Sequence, residues 1–132
     1  MKTAVIAGVL FLLVLAFLGF NYWYLNRFFE ETLALMAVLP EEVEVLETAD
    51  EKELAEIQES LDGIYGLWKR HETYLCFSLE HTAGRTFLES FLPAMAYFEA
   101  REYPAFLAQL RASRDIAEHL VFDESVRLGN VL

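Results

Sequence analysis

The chain has 132 residues, 55% of them hydrophobic, and its 21 acidic against 10 basic residues give a net charge of −11. That balance excludes nucleic acid as a partner, because phosphates call for a basic footprint. One cysteine, Cys76, excludes an internal disulfide framework and any Cys-rich metal site; a lone thiol among apolar residues reads as a small buried hydrophobe.

The first element in chain order is Thr3–Asn26, which contains no charged residue. About 20 mainly apolar residues suffice to cross a hydrocarbon core of about 30 Å, and Ala4–Phe20 supplies Val, Ile, Leu, Phe, Ala and two glycines. Tyr22, Trp23 and Tyr24 follow where an interfacial aromatic belt is expected. The segment therefore predicts a transmembrane helix over residues 1–26, touching lipid through residues 3–26. A cleaved secretory signal would be shorter and would end in small residues, whereas this run ends in Phe-Asn-Tyr-Trp-Tyr, so an uncleaved signal anchor is the better reading. Lys2 and the α-amino group precede the span, and only Arg27 follows it before Glu30 and Glu31. Positive-inside reasoning then places the N-terminus in the cytoplasm and the rest of the chain outside, in a cell-membrane protein with a single pass.

Arg27–Leu39 holds neither Pro nor Gly, so the helix is expected to continue out of the span. Phe29, Leu33, Met36, Leu39, Val43 and Leu46 recur at spacings of three and four, one apolar face, and Pro40 predicts a kink, with a full break as the alternative, within a membrane-proximal helix over 27–49. Asp50 and Glu53 form a capping-box-like pair at the next helix start. From there Leu54, Ile57, Leu61, Ile64, Trp68, His71, Leu75 and Ser78 step by three and four, the pattern of a long helix packed along a coiled-coil-like seam. Gly63 and Gly66 weaken its middle and allow a neighbouring helix to approach closely.

His81-Thr82-Ala83-Gly84 closes that helix in this reading, and the next begins at Gly84 or Thr86. Phe87, Phe91, Met95 and Phe98 give it a bulky stripe, and Pro93 is expected to bend it. Pro104 suits the first turn of the last helix, whose apolar side is Phe106, Leu107, Leu110, Ala117, Leu120 and Val121. Residues 122–132 read as an extended or irregular tail. The expected fold is all-α: one N-terminal transmembrane helix continuing into a small antiparallel helical bundle, with 50–121 as the helical domain.

Chemistry is sparse. Glu41–Asp62 holds ten carboxylates and one lysine, but lacks the alternating ligands and central Gly of a calcium loop, so it reads first as a solvated face and second as a site for a basic partner. Setting Lys2 aside, nine basic residues face 21 acidic ones, which also argues against an anionic lipid surface. His71, His81 and His119 each neighbour a glutamate, yet adjacent residues on a helix point about 100° apart, and no H-x-x-x-H or H-E-x-x-H pair occurs. No nucleophile motif or Gly-rich phosphate loop surrounds Ser78, Ser90 or Cys76. The reading is thus non-enzymatic, with no cofactor and no metal. Trp68, Phe87, Phe91 and Phe98 belong to an aromatic load larger than a short helical core obviously needs. They are open to two readings, a core of large side chains or a groove for a partner helix.

Several features together resemble the domain-of-unknown-function 4363 family. They are the single N-terminal membrane helix, the acidic helical pair opening at Asp50, Trp68 with His81 thirteen residues later, Glu118-His119 ahead of Leu120, and the closing Leu128-Gly129-Asn130-Val131-Leu132. Glu80 stands where that family often has Asp, and the 84–100 segment, with Pro93, is more aromatic. The resemblance implies a small membrane-anchored helical protein of spore-forming Gram-positive bacteria with no assigned reaction, linked to sporulation or to neighbouring membrane proteins. The candidate interaction or structural residues are then Trp68, His81, Phe87, Phe91, Phe98, His119 and Asn130. Other membrane proteins are the expected partners, engaged through the apolar-aromatic face. The alternative is an extracytoplasmic sensor or ligand-binding domain with a pocket between helices near His81 and His119.

Overall fold

The computed structural model describes residues 1–74 and 81–131, with side chains for 1–74 and 84–120. These residues are mostly helical, without a strand among them. The elements are α1 (Lys2–Ala37), α2 (Val43–Glu47), α3 (Glu51–Arg70), α4 (His81–Glu99) and α5 (Tyr103–Val131).

Helix α1 is 36 residues long, about 54 Å at the usual rise, and passes through Arg27 without interruption. Its residues up to Phe20 are exposed, apart from the half-buried Leu18. Beyond them Leu25, Phe28, Phe29, Thr32 and Met36 are buried at spacings of three and four, the face that the helix turns to the core. Among the described residues, this one helix is long and apolar enough to cross a membrane.

Of the two outcomes expected at Pro40, a break and not a kink is found. The helix ends at Ala37, because a proline disfavours helical backbone in the residue before it and offers no N–H of its own. Two carbonyl-directed contacts close the end: Leu39 N–H donates to Met36 O at 3.1 Å, and Nη2 of Arg114 reaches the same oxygen at 3.1 Å. Arg114 also pairs with Glu41 at 2.8 Å, and Nη2 of Arg111 donates to the Glu41 carbonyl at 3.2 Å. A guanidinium on the last carbonyls of a helix satisfies orphan acceptors and opposes the negative end of the dipole. Helix α5 thereby fixes the α1–α2 turn.

Helix α3 starts as its residues predict, with the Asp50 carboxylate accepting from Glu53 N–H at 2.8 Å. It ends at Arg70, with His71 as the C-cap, so a one-residue turn interrupts the expected long helix before helical backbone resumes at 72–74. Leu75 and Ser78, the last two seam positions, and Cys76 lie outside the described residues. The glycines do not serve a close approach. A Cβ built on Gly63 or Gly66 meets nothing within 4 Å.

Helix α4 already includes His81, several residues before the start expected at Gly84 or Thr86, and it runs on through Pro93. The ring there removes one hydrogen bond, to Glu89, while the buried neighbours Phe91, Ala94 and Phe98 hold the segment against the core. Its end is a Schellman turn: Glu102 N–H donates to Tyr97 O at 2.9 Å and Arg101 N–H to Phe98 O at 3.1 Å. Arg101 occupies the left-handed position with φ 59°, where glycine is usual.

Helix α5 corrects the irregular tail expected over 122–132, since helix continues to Val131. No proline lies beyond Pro104, and one glycine, Gly129, is a modest penalty at that end. The core joins all five helices, with Leu46 from α2, Leu61 and Ile64 from α3, and Phe106, Leu107, Leu110 and Ala117 from α5.

Candidate functional site

The residues with aromatic or ionisable chemistry sort into a sealed core, a polar junction beside it and an open groove. The core is built on Trp68, which is 1% exposed. Its indole stacks on Phe87 at 4.0 Å between centroids, and Phe87 stacks on Phe91 at 5.4 Å. Phe28 meets the other side of the indole edge-on at 5.0 Å. The indole N–H donates to the Thr32 hydroxyl at 3.2 Å, and that hydroxyl donates to Phe28 O at 3.0 Å. Both buried polar groups are therefore satisfied. Phe98 lies 5.1 Å from Phe106 and ties α4 to α5.

This arrangement decides between the two readings of the aromatic load. Trp68, Phe87, Phe91 and Phe98 are all buried, so they are core side chains and not the exposed face expected to engage a partner. The aromatic load fits the core because α1 is itself a core helix from Leu25 onward. Leu25 and Phe28, which pack there, fell outside the apolar stripe read from Phe29 onward.

The polar junction lies where α1 passes the end of α3. The Tyr24 hydroxyl is hydrogen-bonded to Nδ1 of His71, whose ring also sits edge-on to Phe28 at 5.3 Å. The Tyr74 hydroxyl donates to Asn21 Oδ1 at 2.8 Å, with its ring 4.1 Å from that of Tyr24. His71 is thus an interface histidine, held by α1. A small hollow of about 240 Å³ opens beside it, flanked by Trp23, Arg27 and Glu31. The guanidinium of Arg27 lies over the Trp23 ring at 5.5 Å. The arrangement binds one element to another.

The ligand pocket expected near His81 and His119 falls partly outside the described residues. His119 is exposed on α5, and the side chains of His81 and Asn130 lie outside the described residues. Among the described residues no three His, Cys, Asp or Glu side chains converge on a common metal position.

The groove runs between the end of α1, α2 and the first half of α3. Val38, Val45 and Ile57 line it with Glu53 and Glu56 along one wall. Neither glutamate forms an ion pair among the described residues, and the ion pair that the Glu41–Asp62 stretch makes there is Glu41 with Arg114.

Compared with known protein families, with curated proteins and with solved structures, the chain matches none.

Proposed function

We propose that this chain is a single-pass membrane protein, N-terminus in the cytoplasm, whose helical domain is an extracytoplasmic, non-enzymatic interaction or scaffold module. One observation carries it: α1 is a single unbroken helix with an exposed apolar first part and a second part whose buried face belongs to the core. A helix shared in this way transmits the position of the span directly to the domain, with no linker to absorb movement. The three-residue turn between α4 and α5 supports an antiparallel bundle, since short connections place consecutive helices side by side. Lys2 with the α-amino group on one flank, against Arg27 on the other, supports the orientation. A role in the envelope or in sporulation, alongside other membrane proteins, is proposed on the motif resemblance alone. With the aromatic face buried, any partner has to be met by another surface.

The test is labelling of an introduced cysteine in intact cells. Glu59→Cys in a Cys76→Ser background places the thiol on an exposed position of α3. A membrane-impermeant maleimide should modify it without lysis, and the protein should stay with membranes after alkaline extraction. Labelling that needs lysis reverses the topology. Release by alkali removes the span.

A further inference from the structure

Beyond Trp23, the large apolar side chains left exposed among the described residues are Val38, Val45 and Leu92. Two of these three share one place. Val38 at 71% exposed and Val45 at 49% line the same groove, of about 420 Å³, with Leu39 and Ile57 beneath them. Exposed aliphatics are unremarkable singly and informative when they gather over a concave floor.

The wall is as distinctive as the floor. Glu53 and Glu56 are three residues apart on α3, hence on one face, and both are exposed without a cation partner among the described residues. Lys52 is the sole base between Glu41 and Asp62, against ten carboxylates. The groove therefore combines an apolar floor with an unneutralised negative rim.

That combination selects the occupant. A second copy docking by two-fold symmetry would set the same carboxylates against each other. An anionic lipid surface is repelled. The end of this chain, 121–132, carries Arg127 against Asp123 and Glu124 and offers no basic face. We infer that the groove docks a basic amphipathic helix from a partner protein, its apolar stripe on Val38, Val45 and Ile57 and its Lys or Arg side chains on Glu53 and Glu56. The inference rests on the interaction-module reading and gives it a surface in place of the buried aromatic face.

The experiment uses the full chain in phosphatidylcholine nanodiscs, with empty nanodiscs as the blank. The probe is a fluorescent Leu/Lys peptide of about 18 residues, with Leu at helical spacing. Its counterpart has the same composition scrambled to erase the apolar face. Fluorescence anisotropy should show the scrambled peptide binding roughly tenfold more weakly. The pairs Glu53→Gln/Glu56→Gln and Val38→Ser/Val45→Ser should each weaken the amphipathic peptide by roughly tenfold. Glu59→Gln/Asp62→Gln removes equal charge outside the groove lining and should change binding by less than about twofold. All six positions are exposed, so unchanged circular dichroism is expected for every variant.

Equal loss from the two charge pairs, or no loss from the valine pair, reduces the attraction to diffuse charge and overturns the inference. Self-association that the valine pair abolishes makes a second copy the occupant and overturns it too. Failure of the parent reading looks different: peptide binding intact, but the Glu59→Cys thiol labelled only after lysis.

Discussion

The two parts of α1 are built from nearly the same apolar alphabet and meet different surroundings. From Lys2 to Phe20 the apolar residues run all round the helix, and Val5, Phe11 and Phe17 are each about two-thirds exposed. From Leu25 to Met36 the apolar residues keep to one face, while Arg27, Glu30 and Glu31 take the other. Composition alone does not separate the two; angular distribution does. A helix that is apolar on every side calls for apolar surroundings, and among the described residues nothing buries this one. A helix apolar on one stripe needs only a neighbour, and α3 and α5 supply it.

The sharpest way to break that comparison is to remove one phenylalanine from each part. Phe29→Ala deletes a fully buried ring and should destabilise the domain by about 3–5 kcal/mol. Phe11→Ala should leave it unchanged, because Phe11 touches no part of the core. Chemical denaturation in detergent, read by Trp68 fluorescence in a Trp23→Phe background, measures both. Equal effects would mean that the two parts are one cooperative unit.

Thr32 sharpens the comparison from the polar side, since it is fully buried among phenylalanines and exists to accept the Trp68 N–H. Thr32→Val keeps the shape and leaves an indole donor unpaired, which should cost about 1–3 kcal/mol. Thr32→Ser keeps the acceptor and should recover most of the donor's share. The same denaturation experiment distinguishes them, and a Val variant as stable as wild type would show that the indole has found another acceptor.

Arg114 should matter less. Its partner Glu41 is 70% exposed, so the ion pair itself is screened, and the bond to Met36 O carries most of the effect. Arg114→Ala should cost about 1 kcal/mol, and Glu41→Gln a smaller amount that disappears in high salt. A loss from Glu41→Gln equal to that from Arg114→Ala would reverse this ranking.

Much of this framework was legible from local pattern. The uncharged run, its continuation past Arg27, the Asp50 cap and the stripes of α3, α4 and α5 depend on residues a turn apart. Helix ends were less legible. Pro40 suggested a kink at its own position, but the backbone restriction falls on the residue before it, and the helix ends at Ala37. Residues 122–132 read as an extended or irregular tail, yet helix continues to Val131, since a single glycine does not stop it. Arg101 gave no signal for its turn because the usual sign, glycine, is missing. The Arg111–Arg114 clamp was invisible for another reason: its partners are seventy or more positions away along the chain. The groove was half legible, as an acidic stretch; its apolar floor comes from three separate elements.

The smallest effects come from the glycines, and they test the comparison most finely. Gly63 and Gly66 in α3, and Gly8 and Gly19 in the first part of α1, all face open space, with nothing within 4 Å of an added Cβ. In α3 the helix forms when the domain folds, so Gly63→Ala and Gly66→Ala should each stabilise it by about 0.5–1 kcal/mol, through the lower helix-forming penalty of alanine. In the first part of α1 the same change should be silent in the same denaturation, because a span held by detergent stays helical when the domain unfolds. A gain from Gly8→Ala or Gly19→Ala equal to that from Gly63→Ala would mean that this part of the helix melts with the domain. It would then be a structural arm, and the membrane reading would lose its main support.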